Sequence, residues 1–202
     1  MDEQVRITLE AYNKHAKRYC ELTFDSVSQY QLTEFVSLLP GRKILDVGCG
    51  SGRDTQYFAE DGFEAVGVDF SEQMVAEAKK RTKSDILLMD FSKLEFPDGS
   101  FDGIWACAAL IHTPKRNLPQ ILSEFVRVLK PRGVLYISVR EGDGEKMISY
   151  KKLGLEKVFF SYYRVEELNS MLRKAGFEVR KEFTELVNIS TWVNIFARKR
   201  QE

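Results

Sequence analysis

The run over residues 43–53, K-I-L-D-V-G-C-G-S-G-R, limits what this chain can fold into more than any other. A short apolar strand over 44–47 carries Asp46 into a loop with glycines at 48, 50 and 52, and a helix over 54–61 follows. Glycines at alternate positions let backbone N–H groups approach a ligand with no Cβ in the way. A carboxylate at the strand end repels a pyrophosphate and suits a ligand that carries an ammonium group. A dinucleotide fingerprint G-x-G-x-x-G would want its third glycine at position 53, where this chain has Arg53. The pattern is G-x-G-x-G, which with Asp46 argues against a nicotinamide dinucleotide oxidoreductase.

Strands and helices alternate beyond this loop. The apolar patterning predicts strands over 44–47, 64–68, 86–89, 101–107 and 134–139, with helices over 54–61, 72–81 (capped by Ser71) and 118–129, the last stopping before Pro131. Near-continuous apolar strands between amphipathic helices predict a parallel sheet covered on both faces, a doubly wound α/β fold. The stretch 140–150, R-E-G-D-G-E-K-M-I-S-Y, is polar and punctuated by glycine. It reads as a mobile loop at the carboxyl edge of the fifth strand, and residues 140–163 form a candidate lid. A helix over 165–175, ended by Gly176, precedes two β runs over 177–186 and 192–198 around a turn at 188–190.

The 202 residues, 44% of them hydrophobic, suit a single domain with one filled core. Thirty basic and thirty acidic residues cancel, so no global field draws the chain to nucleic acid or to a membrane surface. The first residues lack the layout of a signal peptide, and no apolar run approaches the roughly 20 residues of a membrane helix, so a cytoplasmic location is expected. Cys20, Cys49 and Cys107 are odd in number and widely spaced, against both a disulfide framework and a zinc site. No metal is expected.

The run L-D-V-G-C-G-S-G over 45–52 resembles the first motif of the class I S-adenosylmethionine (SAM) dependent methyltransferases, of the small-molecule type with a methyltransferase-11-like domain. The likeness extends from Tyr12 to Lys199, with its elements in order. It implies a Rossmann-like seven-stranded sheet, mostly parallel with a C-terminal antiparallel hairpin, preceded by a helical cap over residues 1–39. It implies SAM as cofactor and S-adenosylhomocysteine as product, and puts Asp46 and the backbone of Gly48, Cys49 and Gly50 against the methionine portion, with Arg53 a candidate for its carboxylate. Asp69, about 20 residues past the glycine loop, has the separation of an acid that accepts from ribose hydroxyls; capping the next helix is its structural alternative. Phe70 and Met74 would line the adenine pocket or pack the helix. Met89, Asp90 and Phe91 match the segment that meets the adenine, although Asp90 also suits a turn. The run Y-N-K-H-A-K-R-Y over 12–19 resembles the Y-x-x-x-A-x-x-Y helix that covers SAM, which makes Tyr19 a cofactor contact; Tyr12 and His15 fall on or near the same helix face. The turn over 97–100 and Asp102 are structural.

The segment 106–114, A-C-A-A-L-I-H-T-P, leaves the fourth strand beside the sulfonium if the likeness holds, starting with Ala106. His112 is the candidate general base, with a loop-tying role as the alternative. SAM is already activated, so alignment and exclusion of water are the main demands, and no fixed catalytic triad is implied. Arg140, Tyr162, Tyr163 and Trp192 could shape the acceptor pocket. The expected acceptor is a small molecule, methylated by in-line displacement. Two other readings stay open: an RNA modifier, from a likeness to tRNA wobble-uridine carboxymethyl methyltransferases near Tyr162 and Tyr163, and a non-catalytic SAM-binding subunit of a partner. The balanced charge weighs against RNA.

Overall fold

A computed structural model describes residues 2–26 and 28–201. Helices α1 (Glu3–Thr23) and α2 (Gln29–Leu38) precede β1 (Lys43–Val47), α3 (Arg53–Glu60), β2 (Glu64–Asp69), α4 (Glu72–Ala78), β3 (Asp85–Leu88) and β4 (Phe101–Cys107). Then follow α5 (Leu118–Val128), β5 (Leu129–Arg140), β6 (Glu145–Tyr150), β7 (Leu155–Ser161), α6 (Val165–Lys174), β8 (Phe177–Val187) and β9 (Ser190–Lys199).

Seven strands form one sheet in the order β3-β2-β1-β4-β5-β9-β8. The first five pair in parallel, and β9 runs antiparallel between β5 and β8. The chain order reverses between β1 and β4, and the crevice outside the carboxyl ends of the strands at such a switch point is where open α/β sheets bind ligands. Side chains alternate across the central strands. Ile104, Leu135 and Ile195 face a core built with α5 and α6, while Trp105, Tyr136 and Phe196 face a second core with Phe35 of α2 and Phe58 of α3. Among the described residues no helix is long and apolar enough to cross a membrane.

Two expectations need correction. Pro131 does not delay the fifth strand: Leu129 already pairs with Phe101, the register shifts, and pairing resumes at Val134 opposite Gly103. Arg132, at φ 64°, makes the irregularity that accommodates a residue without an N–H. The stretch 140–150 is not a loop throughout. Only 141–144 turns, and β6 then pairs antiparallel with β7 in a separate two-stranded sheet. Its residues obey a period of two: Ile148 and Tyr150 pack against the core, while Met147 and Ser149 are exposed.

Candidate functional site

Gly48, Gly50 and Gly52 all have positive φ, at 65°, 55° and 76°, so the loop after β1 curls in a way other residues resist. At Gly48 space matters as well, because a Cβ there would lie 2.6 Å from that of Ala109. The loop is tied to β2 through Asp69, whose carboxylate accepts from the backbone N–H of Gly50 and of Ser71, both at 2.9 Å. Burial raises the Asp69 pKa against those hydrogen bonds. Ser71 takes the helix cap, its hydroxyl accepting from Met74 N–H at 3.2 Å.

The carboxyl ends of β1, β2 and β4 open into a continuous cleft. At one end a cavity of about 290 Å³ is lined by Asp46, Gly48, Cys49, Gly50 and Arg53, with Cys107, Trp192 and Asn194 from the other side. A narrow waist of about 70 Å³ follows, between Tyr12 and Tyr19 of α1 and Asp69, Phe70, Met74 and Phe91. Beyond it lies a cavity of about 370 Å³ lined by Phe70, Asp90, Phe91 and His112. Gly48, Gly50 and Tyr19 border the first two spaces, and Phe70, Phe91 and His112 border the last two.

Asp46 is 3% exposed and accepts from the Thr55 hydroxyl at 2.6 Å. Among the described residues no cation pairs with it within 4.0 Å. Burial, and then the neighbouring charge of Asp54, push its pKa up to about 8. Asp54 has its partners: Arg53 grips both its oxygens, at 2.6 and 2.9 Å, and the Trp105 indole donates to it at 2.9 Å. Arg53 also donates to the carbonyls of Thr23 and Ser26, so its guanidinium fastens the segment between α1 and α2 to α3.

His112 has both ring nitrogens engaged. Nδ1 meets the carbonyl of Phe159 and Nε2 the hydroxyl of Tyr12, each at 2.8 Å. A carbonyl can only accept, so Nδ1 carries the proton and Nε2 accepts from Tyr12. Burial lowers the His112 pKa to about 4, and the nearby Arg140 pushes the same way. The neutral ring thus ties α1 to β7, and its free lone pair is taken by Tyr12.

Most of the expected cofactor residues share this cleft, with two exceptions. Ala106 is fully buried in the core, and its neighbours Cys107 and Ala108 line the cavity instead. Met89 borders none of the three spaces and packs beside the core, its sulfur accepting from Glu95 N–H at 3.4 Å. Asp90 lines the far cavity and also makes the turn, accepting from Ser92 N–H at 2.8 Å. His15 leaves the tyrosine face and lies under Gly154, where a Cβ would come within 2.9 Å of its Nδ1. The sequence reading missed the contributions of Asp54, Trp105 and Asn194. No local pattern marks them: Trp105 and Asn194 come to the site through strand pairing with distant residues, and Asp54, in the first turn of α3, through its bonds to Arg53 and the Trp105 indole.

A family model for the methyltransferase domain matches residues 45–137. That span holds the glycine loop, Asp69, Asp90 and His112. The chain belongs to the class I SAM-dependent methyltransferases. It is 38% identical over 107 residues to 2-methyl-6-phytyl-1,4-hydroquinone methyltransferase of Synechocystis, covering 50% of this chain and 33% of that protein. With phosphoethanolamine N-methyltransferase 3 of Arabidopsis thaliana it shares 33% identity over 159 residues, 72% of this chain and 31% of the relative. The chain therefore spans about a third of the length of these curated relatives. In fold it is similar to the 1,6-didemethyltoxoflavin-N1-methyltransferase of Burkholderia thailandensis, solved with S-adenosylhomocysteine, at a TM-score of 0.78 and 21% identity over 97% of this chain and 88% of the other.

The cleft of this methyltransferase domain fits the cofactor on its own chemistry. A buried carboxylate with no cation within 4.0 Å among the described residues stands at one end, and the Asp69 carboxylate, at the end of β2 and hydrogen-bonded to the glycine loop, stands at the middle. Aromatic walls with Asp90 stand at the other end.

Proposed function

We propose that this chain transfers a methyl group from SAM to a small-molecule acceptor. The observation that carries the reading is Asp46: a nearly inaccessible carboxylate beside a glycine loop, with its pKa raised to about 8, is stabilised by an incoming ammonium group. Asp69 is placed to accept from ribose hydroxyls with the oxygen lone pairs that Gly50 and Ser71 leave free. Phe70, Phe91 and Asp90 would hold the adenine. When bound, SAM supplies a methyl group on a sulfonium centre, an electrophile that needs no further activation.

The protein's part is then alignment and exclusion of water. Tyr12 and Tyr19, packed edge to face at 5.4 Å, cover the waist of the cleft. His112 holds Tyr12 in place through their hydrogen bond and acts as a positioning residue. The relatives named for a hydroquinone and for phosphoethanolamine support a small acceptor.

Isothermal titration with S-adenosylhomocysteine and with NAD tests this. Micromolar binding of the first is expected with no response to NAD, and Asp69→Asn should weaken it by about tenfold or more, the loss of charge-assisted hydrogen bonds. Near pH 7 binding should also release protons from Asp46, so the measured heat should differ between buffers of different ionisation enthalpy. Equal affinity in Asp69→Asn would refute the assignment of that residue, and binding of NAD alone would refute the cofactor.

A further inference from the structure

Arg140 ends β5 opposite Trp192 of β9. Its guanidinium carbon lies 5.0 Å from the ring centroid of Tyr150, 5.2 Å from Phe160 and 5.4 Å from Trp192, so aromatic faces of three strands enclose it. Aromatic faces favour a cation but supply no counter-charge. Among the described residues no carboxylate lies within 4.0 Å of it, whereas Arg53, Arg81, Arg127 and Arg164 each have one. Its Nε is buried without a hydrogen-bond partner, and the Tyr162 hydroxyl is the side-chain group that meets the guanidinium. Burial accordingly holds its pKa below the usual guanidinium value. An unpaired, partly desolvated cation is costly, and a fold that keeps one gains when an anion meets it.

The place of Arg140 says where that anion would sit. Phe160, one wall of its enclosure, packs edge to face on His112 at 4.9 Å. Trp192, another wall, lines the cavity that also holds Asp46. The positive charge of Arg140 is felt at both Tyr12 and His112, the pair that bounds the waist. Arg140 thus stands behind the Trp192 wall of the cleft and itself borders a neighbouring cavity of about 300 Å³ with Tyr162, Arg164 and Thr191. A second cation is disfavoured there, because the aromatic faces that would receive an alkylammonium already hold the guanidinium.

We propose that Arg140 anchors the methyl acceptor and that the acceptor is a small organic oxyanion, with a planar carboxylate the best match to the guanidinium fork. This rests on the methyltransferase reading only in calling the bound anion an acceptor. The anion site itself stands on Arg140 and its neighbours.

The test uses benzoate, phenyl phosphate and the neutral benzamide as probes, each titrated with and without saturating S-adenosylhomocysteine. The chain has two tryptophans, and Trp105 is fully buried, so quenching of indole fluorescence reports on Trp192. Trp192→Phe serves as the control for that signal. Benzoate is expected to bind saturably and at least about tenfold more tightly than benzamide, the usual gain from a charged hydrogen-bonded pair. Arg140→Gln should erase the preference, and Arg140→Lys should keep part of it. Because Arg140→Gln removes an unpaired charge, its melting temperature should not fall, and its affinity for S-adenosylhomocysteine should change less than twofold. Benzamide binding as tightly as benzoate, an Arg140→Gln protein that keeps the preference, or no saturable binding of either anion would each overturn the proposal. If benzoate binds while S-adenosylhomocysteine does not, the cofactor assignment fails and the anion site stands. A preference for phenyl phosphate over benzoate would overturn the carboxylate in favour of a phosphate monoester.

Discussion

Asp46 and His112 are two ionisable residues whose burial disfavours their charged forms, and they lie at opposite parts of one cleft. For Asp46 the consequence for stability has a definite sign. Its folded pKa of about 8 lies above the unfolded carboxylate value, so the folded state holds the extra proton between about pH 4 and 8. The contribution of Asp46 to stability is greatest below pH 4 and declines as pH rises through that window. Asp46→Asn keeps an acceptor for the Thr55 hydroxyl and removes the buried charge. Its melting temperature should therefore match the wild type near pH 4.5 and exceed it by roughly 2–4 °C at pH 8.5, which corresponds to about 1 kcal/mol for a chain of this size. S-adenosylhomocysteine should bind the variant more weakly. A variant less stable than wild type at pH 8.5 would mean that Asp46 is ionised and paired in the free protein.

At the level of elements, α1 is the part that has to open if a ligand is to span the cleft. Only Thr8, Ala16 and Cys20 of its 21 residues are fully buried, and with Tyr12 and Tyr19 it covers a waist of about 70 Å³. A ligand that spans the cavities on both sides of so narrow a waist enters only while these tyrosines swing aside, and they close over it afterwards. Their withdrawal breaks the bond between Tyr12 and His112 and loosens Cys20 from Met74, whose sulfurs lie 3.8 Å apart. Hydrogen exchange should show the amides of residues 8–23 protected far less than those of β1 and β4 in the free protein. Saturating S-adenosylhomocysteine should slow them by about tenfold or more. Exchange in α1 that is already as slow as in the sheet would rule out opening there. The same elements show what could be read in advance. The parallel strands were legible because buried strands are almost uniformly apolar, and the glycine loop because positive φ demands particular residues. By contrast β6 was hidden: Glu145, Lys146 and Ser149 are polar, and the period of two emerges only once Ile148 and Tyr150 have β7 to pack beside. Tyr12 and His112 were each visible, but their bond joins residues 100 positions apart and has no local signature.

Across the whole molecule, the second core reaches the cleft floor through Tyr136, which lines the Asp46 cavity, and through the polar link that Trp105 makes. Trp105 is fully buried, stacked on Tyr136 at 4.0 Å, and donates from its indole nitrogen to Asp54. Asp54 in turn holds Arg53, and Arg53 holds the carbonyls that join α1 to α2. The packing of α2 and α3 on the sheet therefore fixes the electrostatics at the Asp46 end of the cleft as well as the stability of the fold. Trp105→Phe keeps an aromatic ring against Tyr136 but leaves one oxygen of a buried carboxylate short of a donor. The expected cost is about 1–3 kcal/mol, or a fall of roughly 2–12 °C in melting temperature. With Asp54 less well satisfied, its repulsion of Asp46 changes, and affinity for S-adenosylhomocysteine should drop about threefold or more. Phe196→Leu is the comparison, since Phe196 packs on Tyr136 at 4.9 Å in the same core and has no polar link to the cleft. It should lose stability and keep its affinity. If calorimetry finds that both variants lose affinity in proportion to stability, the cleft responds to core packing in general, and the path from Trp105 through Asp54 has no special part in it.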